Sequence, residues 1–240
     1  SRADVILHYP QLPFALAYFT YYPHTRDNRF TGPYLEESRR MARELPRTSG
    51  GAVCILHEGR PYMLIDYLQH YTIRMARAGS ISGDTLFFNE CIDQFRKYRE
   101  ILRYTRSGLY SQGRGWLEDP EQLSPSCWSR GQGWLIRGMV TSLEFLPRNS
   151  AWSDTLMTYL SELGEALLKA QAPSGMWHTL PCLDETQSHP EVSGTGMIAY
   201  YLARACREGF LEGEEYPESI RKALTGMKPY LGEDGTIHNV

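Results

Sequence analysis

Hydrophobic residues recur at helical spacing in four stretches of the chain, at residues 84–102, 134–146, 155–170 and 193–207. Within each stretch they follow one another at intervals of three or four residues, which places their side chains on one face of an α-helix. Proline, asparagine or glycine stands close to the ends of these stretches, and the alternation typical of strands is scarce. The pattern predicts an all-α protein.

A short turn signature recurs between the helical stretches. It pairs Ser or Asp with Gly ahead of an apolar or aromatic residue, and its copies start at Ser49, Ser107, Ser174 and Asp234. The starts are 58, 67 and 60 residues apart, a period that leaves room for one helical hairpin in each repeat. About four such hairpins fit, and stacked hairpins form either an open solenoid or a closed α/α toroid. The pattern alone does not choose between the two.

Composition narrows the class of protein. The 240 residues include 42 % hydrophobic ones, enough for a core, and no linker divides the chain, so residues 1–240 are expected to form one domain. A net charge of −3 argues against a nucleic-acid partner. No apolar run reaches the roughly 20 residues that span a bilayer, so no membrane partner is expected.

The cysteines indicate a reducing environment. They are odd in number and never at CxxC spacing, which argues against a disulfide framework or a zinc site and predicts buried free thiols. Together with the lack of a visible signal peptide this favours the cytoplasm. Secretion stays open as an alternative, because Ser1 could be a trimmed end. The five are Cys54, Cys91, Cys127, Cys182 and Cys206.

Two charged residues stand out as candidates for chemistry. Asp66 lies within the apolar tract 62–68, where burial would raise the pKa of its carboxyl and keep it protonated as a general acid requires. The alternative is a surface or capping aspartate. Arg130 stands among glycines and aromatics, where its planar fork could hold a carboxylate. The alternative is a loop arginine paired with Glu118 or Asp119.

Aromatic and glycine residues surround Arg130. Trp128 and Trp134 could stack on a sugar ring, or pack hydrophobically at a helix start. Gly131 and Gly133 would allow the backbone to approach a ligand closely. The preceding segment, residues 111–127, is long and weakly periodic, as functional loops often are.

Residues 128–134 read Trp-Ser-Arg-Gly-Gln-Gly-Trp. This stretch resembles the W-x-R-G-x-G-W motif of glycoside hydrolase family 105, the unsaturated rhamnogalacturonyl hydrolases, which are related to the family 88 unsaturated glucuronyl hydrolases. The resemblance runs over roughly residues 34–240 in the order of the chain. Further segments that resemble family motifs are residues 61–66, 174–178, 191–197 and 234–236.

The resemblance implies an (α/α)6 toroid and an enzyme that removes a terminal 4,5-unsaturated uronic acid from pectin-derived, rhamnogalacturonan-type oligosaccharides. Asp66 would protonate C4 of the double bond and help water to add at C5, after which the hemiketal opens and releases the sugar. One carboxyl acting first as acid and then as base suffices. The resemblance implies no metal and no organic cofactor.

The resemblance also implies a set of substrate-binding residues. His178 and Glu191 would share the rim of Arg130 if the repeat turns align, although a structural turn histidine and a helix N-terminal acid are the alternatives. Gln112 stands where the family turn has histidine. The full set is Trp128, Arg130, Gly131, Trp134, His178, Glu191, His57, Tyr62 and Gln112.

The chain departs from the family pattern at its beginning. An (α/α)6 toroid consists of six hairpins, so the first two are expected to be absent from this sequence. The family's second aspartate is expected near Pro10, where no aspartate stands, and Asp4 is a poor substitute. A truncated or inactive uronide-binding protein is therefore the main alternative, and another toroid enzyme, such as an epimerase or lyase, ranks last. An open array exposes apolar faces, which predicts a cover from self-association, the irregular segment Ser1–Pro33, or polypeptide outside this sequence.

Overall fold

The computed structural model describes residues 31–115, 119–183 and 186–238. Within these ranges it contains seven α-helices, one short 3-10 helix and one small sheet. None of the described helices is both long and apolar enough to cross a membrane. The elements are α1 (Thr31–Glu44), β1 (Ile55–His57), β2 (Arg60–Leu64), α2 (Ile65–Ser82), α3 (Thr85–Leu102), β3 (Gly113–Arg114), α4 (Ser129–Leu143), α5 (Ala151–Ala170), α6 (Val192–Arg207), α7 (Glu215–Met227) and the 3-10 helix Lys228–Tyr230.

The helices form two layers. Helices α2, α4 and α6 pack side by side as an inner layer, and α3, α5 and α7 follow them in turn as an outer layer. Helix α1 packs against α2. The inner helices all begin at the same rim, because the first residues of α4 contact those of both neighbours. This arrangement is the predicted all-α array of hairpins, bent as in an α/α toroid.

Each copy of the turn signature contains a glycine at positive φ, although in the first copy this is Gly51, one residue after the Gly50 that pairs with Ser49. Gly51, Gly108, Gly175 and Gly235 have φ angles of 80°, 76°, 84° and 84°, a left-handed region that glycine adopts without a steric penalty. The first turn follows α1, and the second and third follow the outer helices α3 and α5. Each of these turns leads the chain back toward the start of an inner helix. The predicted repeat is therefore present in the backbone as well as in the sequence.

Buried polar side chains fasten the turns to the helices. The amide of Gln132 in α4 accepts from the backbone N–H of Tyr110 at 3.1 Å and donates to its carbonyl at 2.8 Å. Thr195 holds the matching position of α6. Its hydroxyl accepts from the backbone N–H of Trp177 at 3.0 Å and donates to the Trp177 carbonyl at 3.2 Å. Since unpaired backbone groups are costly when buried, these side chains fix the approach to each inner helix.

The small sheet and helix α2 were not predicted. Strands β1 and β2 form a hairpin around Glu58 and Gly59, both at positive φ, and β3 pairs with the end of β2. Helix α2 begins directly after β2, at Ile65. The expectation that strand structure is scarce holds only for long strands: these have five residues or fewer, too short for a clear alternation.

Four predicted helices are confirmed with shifted ends. The stretch 84–102 corresponds to α3, 155–170 to α5 and 193–207 to α6, whereas α4 begins five residues before the predicted start at 134. The description of Ser1–Pro33 as irregular is wrong for residues 31–33, which begin α1. Residues 1–30, with Asp4 and Pro10, lie outside the described residues, and the single domain 1–240 stays a prediction.

The cysteines are free, but the prediction that they are buried holds for three of the five. Cys54, Cys91 and Cys127 are buried, whereas Cys206 is half-buried and Cys182 is exposed. In the part of the chain that the structure describes, no three His, Cys, Asp or Glu side chains are grouped so that they could hold a metal ion.

Candidate active site

Three inner helices bring their first residues together at one rim. Helix α2 supplies Asp66, its second residue, α4 supplies Arg130 as its second residue, and Glu191 is the N-cap residue of α6. Asp66 and Arg130 occupy equivalent positions in successive hairpins, and Glu191 lies just before the corresponding helix start, which is why residues far apart in sequence meet there. The predicted alignment of Glu191 with Arg130 is present.

Asp66 is half-buried at this rim, and its Oδ1 is buried without a hydrogen-bond partner among the described residues. Burial raises the pKa of the carboxyl to about 6, and the nearby positive charge of Arg130 opposes that rise. Desolvation therefore dominates over charge attraction. A carboxyl in this state holds its proton up to about pH 6, well above the usual range of an aspartate, and one of its oxygens has no protein partner.

The strand hairpin leads directly into the start of α2. The backbone N–H of Ile65 donates to the carbonyl of Gln112 at 3.0 Å, which places Gln112 next to Asp66 in the fold. Tyr62 is half-buried on β2, and the exposed His57 of β1 meets its ring edge-on, with 6.2 Å between centroids. Tyr62 and His57 thus lie against each other on the sheet, and Gln112 lies beside the first residue of α2.

Arg130 is held by an acidic and hydroxyl network. Its Nη1 lies 2.6 Å from Glu191 Oε1 and donates to Ser193 Oγ at 2.8 Å. The other carboxylate oxygen of Glu191 accepts from Ser129, and Ser193 donates to Oε1 at 2.9 Å. In the described ranges, Nε and Nη2 of Arg130 make no hydrogen bond to protein. Among the described residues, the acidic partner of Arg130 is therefore Glu191 and not Asp119, while Glu118, the other acid considered, lies outside the described residues.

Each of the two tryptophans of this segment lies against an arginine. The guanidinium of Arg130 lies 4.4 Å from the centroid of the Trp128 ring, a cation–π distance. Trp134, one turn further along α4, is half-buried and similarly covered by Arg137 at 5.5 Å. Each ring thus has one face against an arginine and part of its surface exposed.

The glycines of the motif serve helix packing. A Cβ on Gly131 would lie 2.9 Å from Ile65 Cγ2, and one on Gly133 would lie 2.8 Å from Met197 Cβ. Both positions therefore face neighbouring inner helices, which gives these glycines a packing role, and a close approach of their backbone to a ligand stays a prediction. Gly194 of α6 likewise faces α4, because a Cβ added at this position would overlap Ser129 Oγ. These contacts set the spacing of the rim.

His178 is buried beside the segment that leads into Glu191. Its ring Nδ1 lies 2.9 Å from the carbonyl of Ser188, and the residue pairs with Pro190 across a short antiparallel bridge. The ring is 8 % exposed, so most of it serves to fasten this loop. The structural alternative therefore accounts for the contacts of His178.

Sequence reasoning missed the serines of the rim and the inner face of α2. Ser129 and Ser193 complete the hydrogen bonds of Glu191, although serine at a helix start is also an ordinary capping residue and gave no distinct signal. His70 is exposed one helical turn after Asp66, a spacing that places both on one face. That spacing of four residues is visible in the sequence and is the signal that could have found His70.

Residues 8–240 match the family model described as Glycosyl Hydrolase Family 88. Among solved structures, a possible member of GH105 family from Salmonella enterica is 28 % identical, with a TM-score of 0.78 over 91 % of this chain and 58 % of its own. The unsaturated glucuronyl hydrolase of Bacillus sp. GL1, at 17 % identity and a TM-score of 0.64, shares the fold over 87 % of this chain and 58 % of its own.

Curated relatives bear similar names. The unsaturated rhamnogalacturonyl hydrolase YesR of Bacillus subtilis is 25 % identical over 86 % of this chain and 60 % of its own length. An unsaturated 3S-rhamnoglycuronyl hydrolase of Formosa agariphila is 29 % identical over 46 % of this chain and 29 % of its own. The chain thus spans between about three tenths and two thirds of the length of the curated relatives it matches.

Proposed function

Because the chain belongs to glycosyl hydrolase family 88, we propose that it removes a terminal 4,5-unsaturated uronic acid from pectin-derived, rhamnogalacturonan-type oligosaccharides. One observation supports this more than any other. Asp66 is a half-buried carboxyl with a pKa of about 6, has an oxygen without a protein partner, and lies at the rim shared with Arg130. A group in this state can both give and accept a proton near neutral pH.

In the proposed reaction Asp66 acts first as acid and then as base. Its carboxyl gives a proton to C4 of the double bond, and the resulting carboxylate takes a proton from the water that adds at C5. The hemiketal formed at C5 then opens and releases the rest of the oligosaccharide. Raised carboxyl pKa values serve proton donation in this way in general acid catalysis.

Arg130 is proposed to bind the uronate carboxylate. Glu191 and Ser193 engage Nη1 and orient the guanidinium, so that Nε and Nη2 can form two parallel bonds to a carboxylate. Trp128 and Trp134 would offer partly exposed ring surface to the sugar. Tyr62, His57 and Gln112 are proposed to contact the same ligand from the side of the sheet.

A uronide-binding protein without turnover is the second candidate. The observation that favours it is length, because the chain covers 58 to 63 % of the first three GH105 structures to which it is similar. A site that needs groups from the rest of the toroid would bind sugar through Arg130 and fail to hydrate it.

The test follows ultraviolet absorption of the conjugated double bond. The wild type, Asp66→Asn and Asp154→Asn receive unsaturated galacturonyl-rhamnose and, separately, unsaturated glucuronyl disaccharides. The expected result is absorbance loss with the wild type and Asp154→Asn, an exposed acid of α5, and none with Asp66→Asn. Equal loss in all three would remove Asp66 as the acid. Calorimetric binding without absorbance loss in the wild type would favour the second candidate.

A further inference from the structure

Two cysteines meet just outside the rim. The backbone N–H of Cys127 donates to the sulfur of Cys182 at 3.1 Å, and the two thiols are hydrogen-bonded to each other. Cys127 precedes Trp128 and is buried, whereas Cys182 lies in a turn closed by the bond from Leu183 N–H to the Leu180 carbonyl and is exposed. Their contact joins two loops that are far apart in sequence.

We propose that Cys127 and Cys182 form a dithiol site that a low-molecular-weight disulfide, such as glutathione disulfide, converts to an intrachain disulfide. The arrangement has the parts that thiol–disulfide exchange requires. One sulfur is accessible for attack on an external disulfide, and the second is buried against it and available to resolve the mixed disulfide.

The ionisation of the pair supports the same roles. The hydrogen bond from the Cys127 thiol lowers the pKa of Cys182 to about 6, which favours the thiolate form of the exposed sulfur. The pKa of Cys127 is raised, first by that hydrogen bond and then by burial. The thiolate is the nucleophile in exchange reactions, so Cys182 attacks and Cys127 follows.

The chemistry balances in two steps. Cys182 thiolate attacks one sulfur of glutathione disulfide, and one glutathione leaves as its thiolate. Cys127 then loses its proton, attacks the Cys182 sulfur and displaces the second glutathione. Two protein thiols are oxidised to one disulfide while one glutathione disulfide is reduced to two glutathione molecules.

The bridge would lie beside the start of α4. The backbone N–H of Ser129 already donates to the Thr179 carbonyl at 3.0 Å, so the disulfide would fasten the same two loops covalently. Trp128 lies between these two attachments. This proposal rests on the thiol contact and does not depend on the proposed function.

Thiol counting in denaturant tests the proposal. After treatment with excess glutathione disulfide at neutral pH, the wild type is expected to fall from five thiols to three, with a peptide map that joins Cys127 to Cys182. Cys206→Ser is the matched control and should fall from four to two. Cys182→Ser should keep all four, and Cys127→Ala should retain a stable glutathione adduct on Cys182.

Three results would overturn the proposal: five thiols in the treated wild type, a stable adduct on Cys182 beside a free Cys127, or a bridge joining other cysteines. Cys182→Ser changes an exposed side chain, so the test remains decisive if Cys127→Ala does not fold.

Discussion

Arg130 Nη1 and Glu191 Oε1 lie 2.6 Å apart, and this ion pair joins the first residues of two neighbouring inner helices. The carboxylate is nearly buried, at 5 % exposure, while the arginine side chain remains 33 % exposed. Both oxygens of Glu191 are engaged by protein groups, so its place in the site is to orient Arg130. A direct contact of Glu191 with the sugar stays a prediction, and the contacts within the protein favour the positioning role.

Glu191→Gln is expected to raise the KM for an unsaturated uronide roughly ten- to hundredfold, because Arg130 loses the charge that holds its orientation. Stability should fall by about 1–3 kcal/mol, since a partly buried arginine loses its partner. Steady-state kinetics and urea unfolding measure the two effects.

Glu144→Gln is the matched control for this variant. Glu144 pairs with Arg204 at 2.6 Å between the same two helices, but beyond the end of α4, away from the rim. It should lower stability without changing KM. A similar KM rise in both variants would contradict a positioning role specific to Glu191.

Asp66→Asn is expected to stabilise the protein at pH 7 by about 1–3 kcal/mol. The folded-state pKa of Asp66 is raised, so the folded protein holds a proton that the unfolded chain releases between about pH 4 and pH 6. The contribution of this group is fully present below pH 4 and is lost as the pH rises through about 6. The gain from Asn should therefore vanish below pH 4.

Urea unfolding at a series of pH values measures this difference against Asp154→Asn. A gain for Asp66→Asn that does not depend on pH would show that the carboxyl is not strained by burial.

The kcat/KM for an unsaturated uronide is expected to fall about tenfold per pH unit above pH 6, because only the protonated form of Asp66 can give the proton to C4. The measurement is kcat/KM from pH 5 to pH 9. A flat profile through this range would assign proton donation to another group.

Gly194→Ala is expected to destabilise the protein by about 1–3 kcal/mol, because the added methyl would collide with Ser129 and with the backbone N of Arg130, 3.0 Å away. Gly196→Ala, two residues along α6, meets only ordinary contact and should be neutral or stabilising. Thermal unfolding compares them, and equal effects would refute the close approach of α4 and α6 as the cause.

Helices with a clear apolar face could be predicted, and the others could not. Helix α5 buries one leucine-rich face, so its pattern is regular. Helix α2 has neighbours on three sides and buries Gln69 and Thr72, which interrupts the pattern. Helix α7 buries little more than Tyr216, Ser219 and Ala223, too few apolar residues to mark a helix.

In the site, too, only the features that local sequence determines could be predicted. The apolar tract around Asp66 predicted its burial from local sequence alone. The partner of Arg130 could not be predicted, because Glu191 is in the next hairpin and reaches it only through packing of α4 against α6. Self-association over an open edge of the array stays a prediction, which light scattering can test.

The common rim of α2, α4 and α6 has an electrostatic consequence for encounter with the ligand. Aligned peptide dipoles give each helix start a partial positive charge, and three such starts lie together at this rim, where the charge of Arg130 is paired with Glu191. An anionic sugar would therefore be drawn to this rim even though the whole chain has a net charge of −3. Its association rate should decrease as ionic strength rises, opposite to the trend that the net charge alone would give.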